Sequence, residues 1–366
     1  PGDINSNNGS TFNYGESVQA WKMPLLRSSS TSATAITIHD PYIDIENIQV
    51  TGYGFGVQVI SLAKNVTLKN VIVTKVGNQS SSGSYTGVGF KIEGSNALLE
   101  DCFVLNAGAE AFNLSNSDYS KVDYCKAYAD NNGNPTDYYF LLTGGTNNTI
   151  VQNSYADRAR FLDHGGHGFD MKDLAENNTF KNCTAKRTNI ELNFTGVKYN
   201  KIVDCYIYGA STQTSDWQAV LAVFNGANNN TIENVYIQDT YRAIHWGDYD
   251  DQFVGPGGDR DAVSMGYDNT FKSITVKNTE RILNVGGGTS YNAKASRNKF
   301  INCDFSNFND AVVTYYRTED ISFTNCKFSN GEKLVKETQG AYSSYSKFNV
   351  SWINCTWVNV GFNPPN

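Results

Sequence analysis

Short runs in which apolar and polar residues alternate recur along the whole chain, and each is headed by Asn or Asp. The clearest copies are NVTLKNV from Asn65, NALLEDC from Asn96, NTIVQNS from Asn148, NTFKNC from Asn178, NKIVDC from Asn200, NTIENV from Asn230, NTFKSI from Asn269, NKFINC from Asn298 and NVSWINC from Asn349. Weaker copies start at Asp118 and Asp320. Alternation with a period of two marks a strand with one buried face. Ten steps from Asn65 to Asn349 cover 284 residues, and the three shortest, 96 to 118, 178 to 200 and 298 to 320, are all 22. A fixed minimum with variable excess describes a solenoid whose insertions are loops. A rung of 22 residues holds three short strands and three turns. The pattern therefore predicts an all-β chain, a single-stranded right-handed parallel β-helix of about a dozen rungs over residues 36–366. Residues 1–35, with Trp21, Met23, Leu25 and Leu26, are expected to cap its N-terminal end.

Inward Ile, Leu, Phe and Val should stack rung on rung, and turn Asn amides should stack in a ladder that satisfies backbone groups. The seven cysteines, Cys102, Cys125, Cys183, Cys205, Cys303, Cys326 and Cys355, fall five to seven positions after a repeat head, where other copies carry Val235 and Ile274. A position that takes Cys, Val or Ile is a small buried apolar site, so these are expected to be core thiols. The repeat also generates N-x-S/T sequons at Asn65, Asn147, Asn177, Asn193, Asn229 and Asn354.

A second alternating segment follows in each rung, starting at Gly89, Ala111, Tyr139, Gly168, Asn189, Ala219, Ala243 and Ile282. Between the two segments lie the insertions 78–86, 130–137, 160–167 and 211–217, with larger ones at 248–264 and 287–297. Loops stacked along one flank of a solenoid build a groove, and a groove parallel to the axis suits a linear polymer.

Composition narrows the partners. The net charge of −7 and pI near 5.2 argue against a nucleic-acid binder, and no run of 18 apolar residues is present to span a membrane. The opening Pro1-Gly2-Asp3 reads as a mature or trimmed end, which is compatible with secretion but does not establish it. An extracellular or cell-surface location is expected for a chain of this class, with a polysaccharide as partner. The 22 Tyr, 20 Phe and 5 Trp supply aromatic faces on which sugar rings stack.

Reactive groups concentrate on the outward positions of the second segment. Asp170 and Lys172 share a face, Glu191 and Asn193 lie one rung on, and His245 lies further along. The preceding loop adds Arg158, Arg160, His164 and His167, and Arg187 precedes Glu191. Three of the four histidines thus fall on neighbouring rungs. A solvated surface accounts for any one of these residues, but their grouping points to a site. The catalytic candidates are Lys172, Asp170, Glu191, His164, His167 and His245; the substrate-binding candidates are Arg158, Arg160, Arg187, Asn193, Trp217 and Trp246. A Lys or His base removing the proton α to a uronate carboxylate, with Arg neutralising that carboxylate, makes a lyase. Asp170 and Glu191 flanking a glycosidic bond make a hydrolase. The local basic density favours a polyanionic substrate and the lyase. In the loop around Gly255-Pro256-Gly257-Gly258, Asp248, Asp250, Asp251, Asp259 and Asp261 are candidate Ca²⁺ ligands.

Over nearly all its length the repeat pattern resembles the secreted pectate-lyase-like β-helix proteins. The stretch from His167 through Gly168, Phe169, Asp170 and Met171 to Lys172, followed by the repeat from Asn178, is similar to the Gly-Phe-x-x-Lys segment of one β-helix polysaccharide-lyase family. That resemblance implies Lys172 as the Brønsted base. The family's calcium-binding Asp before Gly-Phe and Asp-rich run one rung later are replaced here by His167 and by Asn189-Ile190-Glu191. A non-catalytic adhesin or a tailspike-like rod is the reading from a different class, resting on aromatic residues such as Tyr53, Tyr138, Trp217, Trp246 and Tyr315.

Overall fold

The structure, a computed structural model, describes residues 23–79, 86–130, 136–158, 166–194, 196–209, 220–248, 265–288, 294–315, 317–337 and 349–361. The described residues form short β-strands and turns with no helix, and every registered strand pair is parallel. Parallel neighbours require the chain to return to the same end of the sheet after each strand, and L-residues make such crossovers right-handed. The protein is an all-β parallel β-helix. It divides into two compact units, Pro1–Phe169 and Asp170–Asn366.

In the first unit the strand Leu25–Arg27 already pairs with Asp44–Thr51, and Thr34–Ile38 with Phe55–Val59. Rung geometry therefore begins inside the segment expected as a cap; residues 1–22, Trp21 among them, lie outside the described residues. The register Phe90↔Phe112↔Phe140 stacks three rings at 4.9 and 4.7 Å, and Phe169 extends the stack at 4.7 Å. In the second unit a matching column runs Phe271, Phe300, Phe323, Trp352 at 4.6, 4.5 and 4.6 Å. Identical positions on successive rungs sit one strand spacing apart, roughly 4.8 Å, close to the stacking distance of aromatic rings.

The recurrence of Asn has two causes, one residue apart. The residue before each first strand holds a ladder. In the second unit Asn178, Asn200, Asn230, Asn269 and Asn298 occupy it, and each backbone N–H donates to the next side-chain carbonyl at 2.8, 2.9, 3.0 and 3.0 Å. In the first unit Ala97, Ser120 and Thr149 stand there, and Ser120 and Thr149 accept the same backbone bonds through their hydroxyls. The residue before that one turns the chain with positive φ: Asn96, Tyr119 and Asn148, then Asn177, Tyr199, Asn229, Asp268 and Arg297. Asn tolerates this left-handed conformation better than other residues with a Cβ, so it accumulates at turns. The heads at Asn65, Asn96 and Asn148 are thus turn residues and not ladder residues, which corrects their alignment with Asn178.

With that offset removed, the cysteines fall in one column, each just after a positive-φ turn residue. All are free thiols; Cys355 is half-buried and the others are buried. The buried Val235 and Ile274 share the column.

Candidate active site

Two short strands carry the central residues. His167–Lys172 pairs with Ile190–Asn193. Alternation sends Phe169, Met171, Ile190 and Leu192 into the core, where none is exposed. It turns Asp170, Lys172, Glu191 and Asn193 to the other face. There one carboxylate oxygen of Asp170 and one of Glu191 lie within 4.8 Å of each other. Although they stand on the outer face, both residues are completely buried. Burying two ionisable carboxyls is costly unless they are held by hydrogen bonds. Asn189 helps to hold one of them: its Nδ2 donates to Glu191 Oε1 at 3.0 Å, while its Oδ1 accepts the Val220 N–H at 3.2 Å. Asn189 is a positioning residue that sequence reasoning passed over. Its only sequence signal is an amide two residues before an acid on the same face of a strand.

Lys172 borders the pair. It is half-buried, and its ammonium lies 5.2 Å from the centre of the Phe194 ring. Asn193 is engaged structurally, its Oδ1 accepting from Asn225 Nδ2 at 2.8 Å. His167 opens the strand three residues before Asp170, and its ring stacks on Tyr138 at 4.6 Å with 13° between planes.

His245 is set apart from this pair. The register Glu191↔Ala222↔His245↔Asn284 places it two rungs from Glu191, about 10 Å at the usual strand spacing. It is fully buried and held down to about 3, first by burial and then by the Arg242 charge. A ring that is neutral at ordinary pH and so weakly basic does not suit a general base. The expected convergence of Lys172, Glu191 and His245 is corrected accordingly.

Trp246 is corrected as well. It faces the core with no exposed surface, 5.9 Å from the rings of both Phe271 and Phe300, and cannot stack on a sugar. Arg158 is buried at the end of the strand Tyr155–Arg158, and Arg187 occupies a positive-φ turn. Asp248 is the last residue of the strand Tyr236–Asp248. His164, Arg160, Trp217, Asp250, Asp251, Asp259 and Asp261 lie outside the described residues. No helix among the described residues is long and apolar enough to cross a membrane.

No protein-family model matches the sequence, and no curated protein is similar to it in sequence. Solved structures do resemble the fold. The catalytic domain of a GH87 α-1,3-glucanase in complex with nigerose matches with a TM-score of 0.54 at 13% identity, over 94% of this chain and 70% of that one. A tailspike protein of E. coli bacteriophage HK620 matches with a TM-score of 0.51 at 8% identity, over 92% and 72%. The same phage's tailspike in complex with a hexasaccharide matches with a TM-score of 0.50 at 11% identity, over 92% and 58%.

Proposed function

We propose that the chain is an extracellular polysaccharide hydrolase whose acid and base are Asp170 and Glu191. The observation that carries this reading is the pair itself, two carboxylate oxygens within 4.8 Å on adjacent rungs, both buried on the outward face of the strands. Glycoside hydrolysis needs two carboxyl groups. One, protonated, gives its proton to the leaving glycosidic oxygen; the other, ionised, serves the attack at the anomeric carbon, directly or by activating water. Their dry surroundings strengthen every interaction with the positive charge that develops on the sugar. Asn189 fixes the Glu191 carboxylate by its 3.0 Å hydrogen bond, so little reorganisation is left for the reaction. Lys172, half-exposed beside the pair, is placed to bind sugar oxygens.

The solved neighbours support the substrate class, since one is a glucanase holding nigerose and another a tailspike holding a hexasaccharide. The competing lyase reading rests on Lys172 and its Gly-Phe-x-x-Lys context. Incubation with a panel of neutral, uronate and sulfated polysaccharides separates the two. New reducing ends without an ultraviolet-absorbing unsaturated product are expected. An unsaturated product would transfer the chemistry to Lys172, and no product from any glycan would leave a binding protein.

A further inference from the structure

The second unit carries an aromatic cluster that the proposed acid and base do not use. In the strand Tyr206–Tyr208 and at the start of Tyr236–Asp248, alternation sends Ile207 and Ile237 into the core, where neither is exposed. Tyr206, Tyr208 and Tyr236 therefore stand on the outer face. The registers Thr184↔Tyr206↔Tyr236↔Thr275 and Lys186↔Tyr208↔Gln238↔Lys277 place Thr and Lys on the rungs to either side. A solvated sheet face favours such polar side chains, so three tyrosines confined to two rungs call for a cause of their own.

Sheet stability supplies part of it, since cross-strand aromatic pairs hold neighbouring strands together. Tyr206 nevertheless stays 39% exposed. The three ring centres form a nearly equilateral triangle with sides of 6.2, 6.4 and 6.1 Å. The rings of Tyr206 and Tyr208 are parallel to within 3°, and that of Tyr236 is tilted 49° and 51° to them. Tyr236 is fixed in place. Its hydroxyl donates to Gln238 Oε1 at 2.6 Å, Gln238 Nε2 donates to Asp239 Oδ2 at 2.7 Å, and the Lys277 ammonium lies 5.6 Å from the ring centre. Side chains already ordered in this way lose little further freedom when a ligand is laid on them.

The charge distribution identifies that ligand. An aromatic face is negative, and the flat face of a pyranose ring presents C–H hydrogens of partial positive charge, with its hydroxyls around the rim. Position agrees. Lys186 pairs with Tyr208, and only Arg187, Thr188 and Asn189 separate Lys186 from the strand that bears Glu191. The five residues from Lys186 to Glu191 span at most about 18 Å, within the reach of one oligosaccharide.

We propose that Tyr206, Tyr208 and Tyr236 form a stacking platform for a pyranose ring of the same glycan that Asp170 and Glu191 cleave. The inference rests on the polysaccharide reading above and adds a binding subsite to it. Tyr206 and Tyr208 take the sugar's C–H face, Tyr236 sets the tilt of the ring, and Lys277 meets hydroxyl oxygens at the rim.

The test is calorimetric titration of the full-length chain carrying Asp170→Asn, which removes turnover, with a neutral gluco-hexasaccharide and a galacturonate hexasaccharide. The better-bound probe should lose about tenfold in affinity with Tyr206→Ala, as loss of an aromatic contact does. Tyr206→Leu should lose about as much, because it keeps apolar bulk without a flat face, and Tyr206→Phe should bind within about twofold of the parent. Proton NMR of the bound probe reads the platform without any substitution in it: sugar C–H signals should move upfield under the tyrosine ring currents. Unchanged affinity in both Tyr206→Ala and Tyr206→Leu, or bound sugar signals without upfield movement, overturns the platform and leaves the hydrolase reading standing. Failure of both hexasaccharides to bind even the unmutated chain overturns the polysaccharide reading and the platform with it.

Discussion

The side-chain amide of Asn284 lies 2.8 Å from Nδ1 of His245, and its carbonyl accepts a hydrogen bond from Arg281. A guanidinium can only donate, so the amide's orientation is fixed: Oδ1 faces Arg281 and Nδ2 donates to the imidazole. His245 Nδ1 is therefore an acceptor, and the ring proton sits on Nε2. Protonation would set two donors against each other in a buried place beside two arginines.

This arrangement makes stability depend on pH. The folded His245 is held down to about 3 from its ordinary 6.5, so between these values the unfolded chain binds a proton that the native chain does not. Stability then rises with pH across that window and is lost progressively as pH falls from 6.5 toward 3. Denaturant melts at a series of pH values should show this slope, and His245→Gln should flatten it. An unchanged slope in the variant would mean that other groups carry the acid sensitivity.

The asparagine ladder gives a second prediction. Asn269 Oδ1 accepts the Asn230 N–H at 3.0 Å, and its Nδ2 donates to Ala227 O at 3.0 Å and to Asn298 Oδ1 at 3.1 Å. Asn269→Ala strands several buried groups and should cost about 2–4 kcal/mol, since each unsatisfied polar group costs about 1–3 kcal/mol. Asn269→Thr should cost less, because Thr149 fills the equivalent place in the first unit and accepts the same backbone bond. Equal losses measured by urea melts would contradict the ladder's role.

Phe300 lies between Phe271 and Phe323 with no exposed surface. Phe300→Ala should open a cavity costing about 3–5 kcal/mol, against under about 1.5 kcal/mol for Phe300→Leu if the stack closes up. A loss below about 1 kcal/mol for the alanine variant would argue against a continuous ring column.

Thiol labelling tests the cysteine column. Cys355 is half-buried and the other six are buried, so one residue should react in the native protein, and slowly. Its thiol is pushed up, chiefly by its hydrogen bond with Cys326, which keeps the reactive thiolate scarce. Rapid modification of Cys183 or Cys205 would contradict their inward placement.

The fold was legible because a β-helix repeats one structural decision many times. The step of 22 residues, the alternation around Phe180 and Phe300, and the cysteine column all reflect the same inward strand. The ladder was misaligned by one residue because Asn serves two adjacent roles, a turn at Asn177 and a ladder rung at Asn178, and composition alone does not separate them. Asp170 and Glu191 were visible as outward positions of neighbouring rungs. Their complete burial was not, since alternation gives the face of a strand but not what covers it. Trp246 was misassigned for a related reason: a tryptophan at a strand end fits core and surface equally well until its register is known. The rung through Ala222 between Glu191 and His245 was visible in the sequence, but the complete burial of His245 was not.

The central claim is that Asp170 and Glu191 perform the chemistry, and the direct test is turnover in isosteric variants on the glycan that the wild-type protein cleaves. Asp170→Asn and Glu191→Gln should each lower turnover by about 10²–10⁴-fold, as removal of a general acid or base does. Lys172→Ala should act mainly on KM. If Asp170→Asn and Glu191→Gln keep wild-type turnover while Lys172→Ala loses it, the two-carboxylate account is wrong.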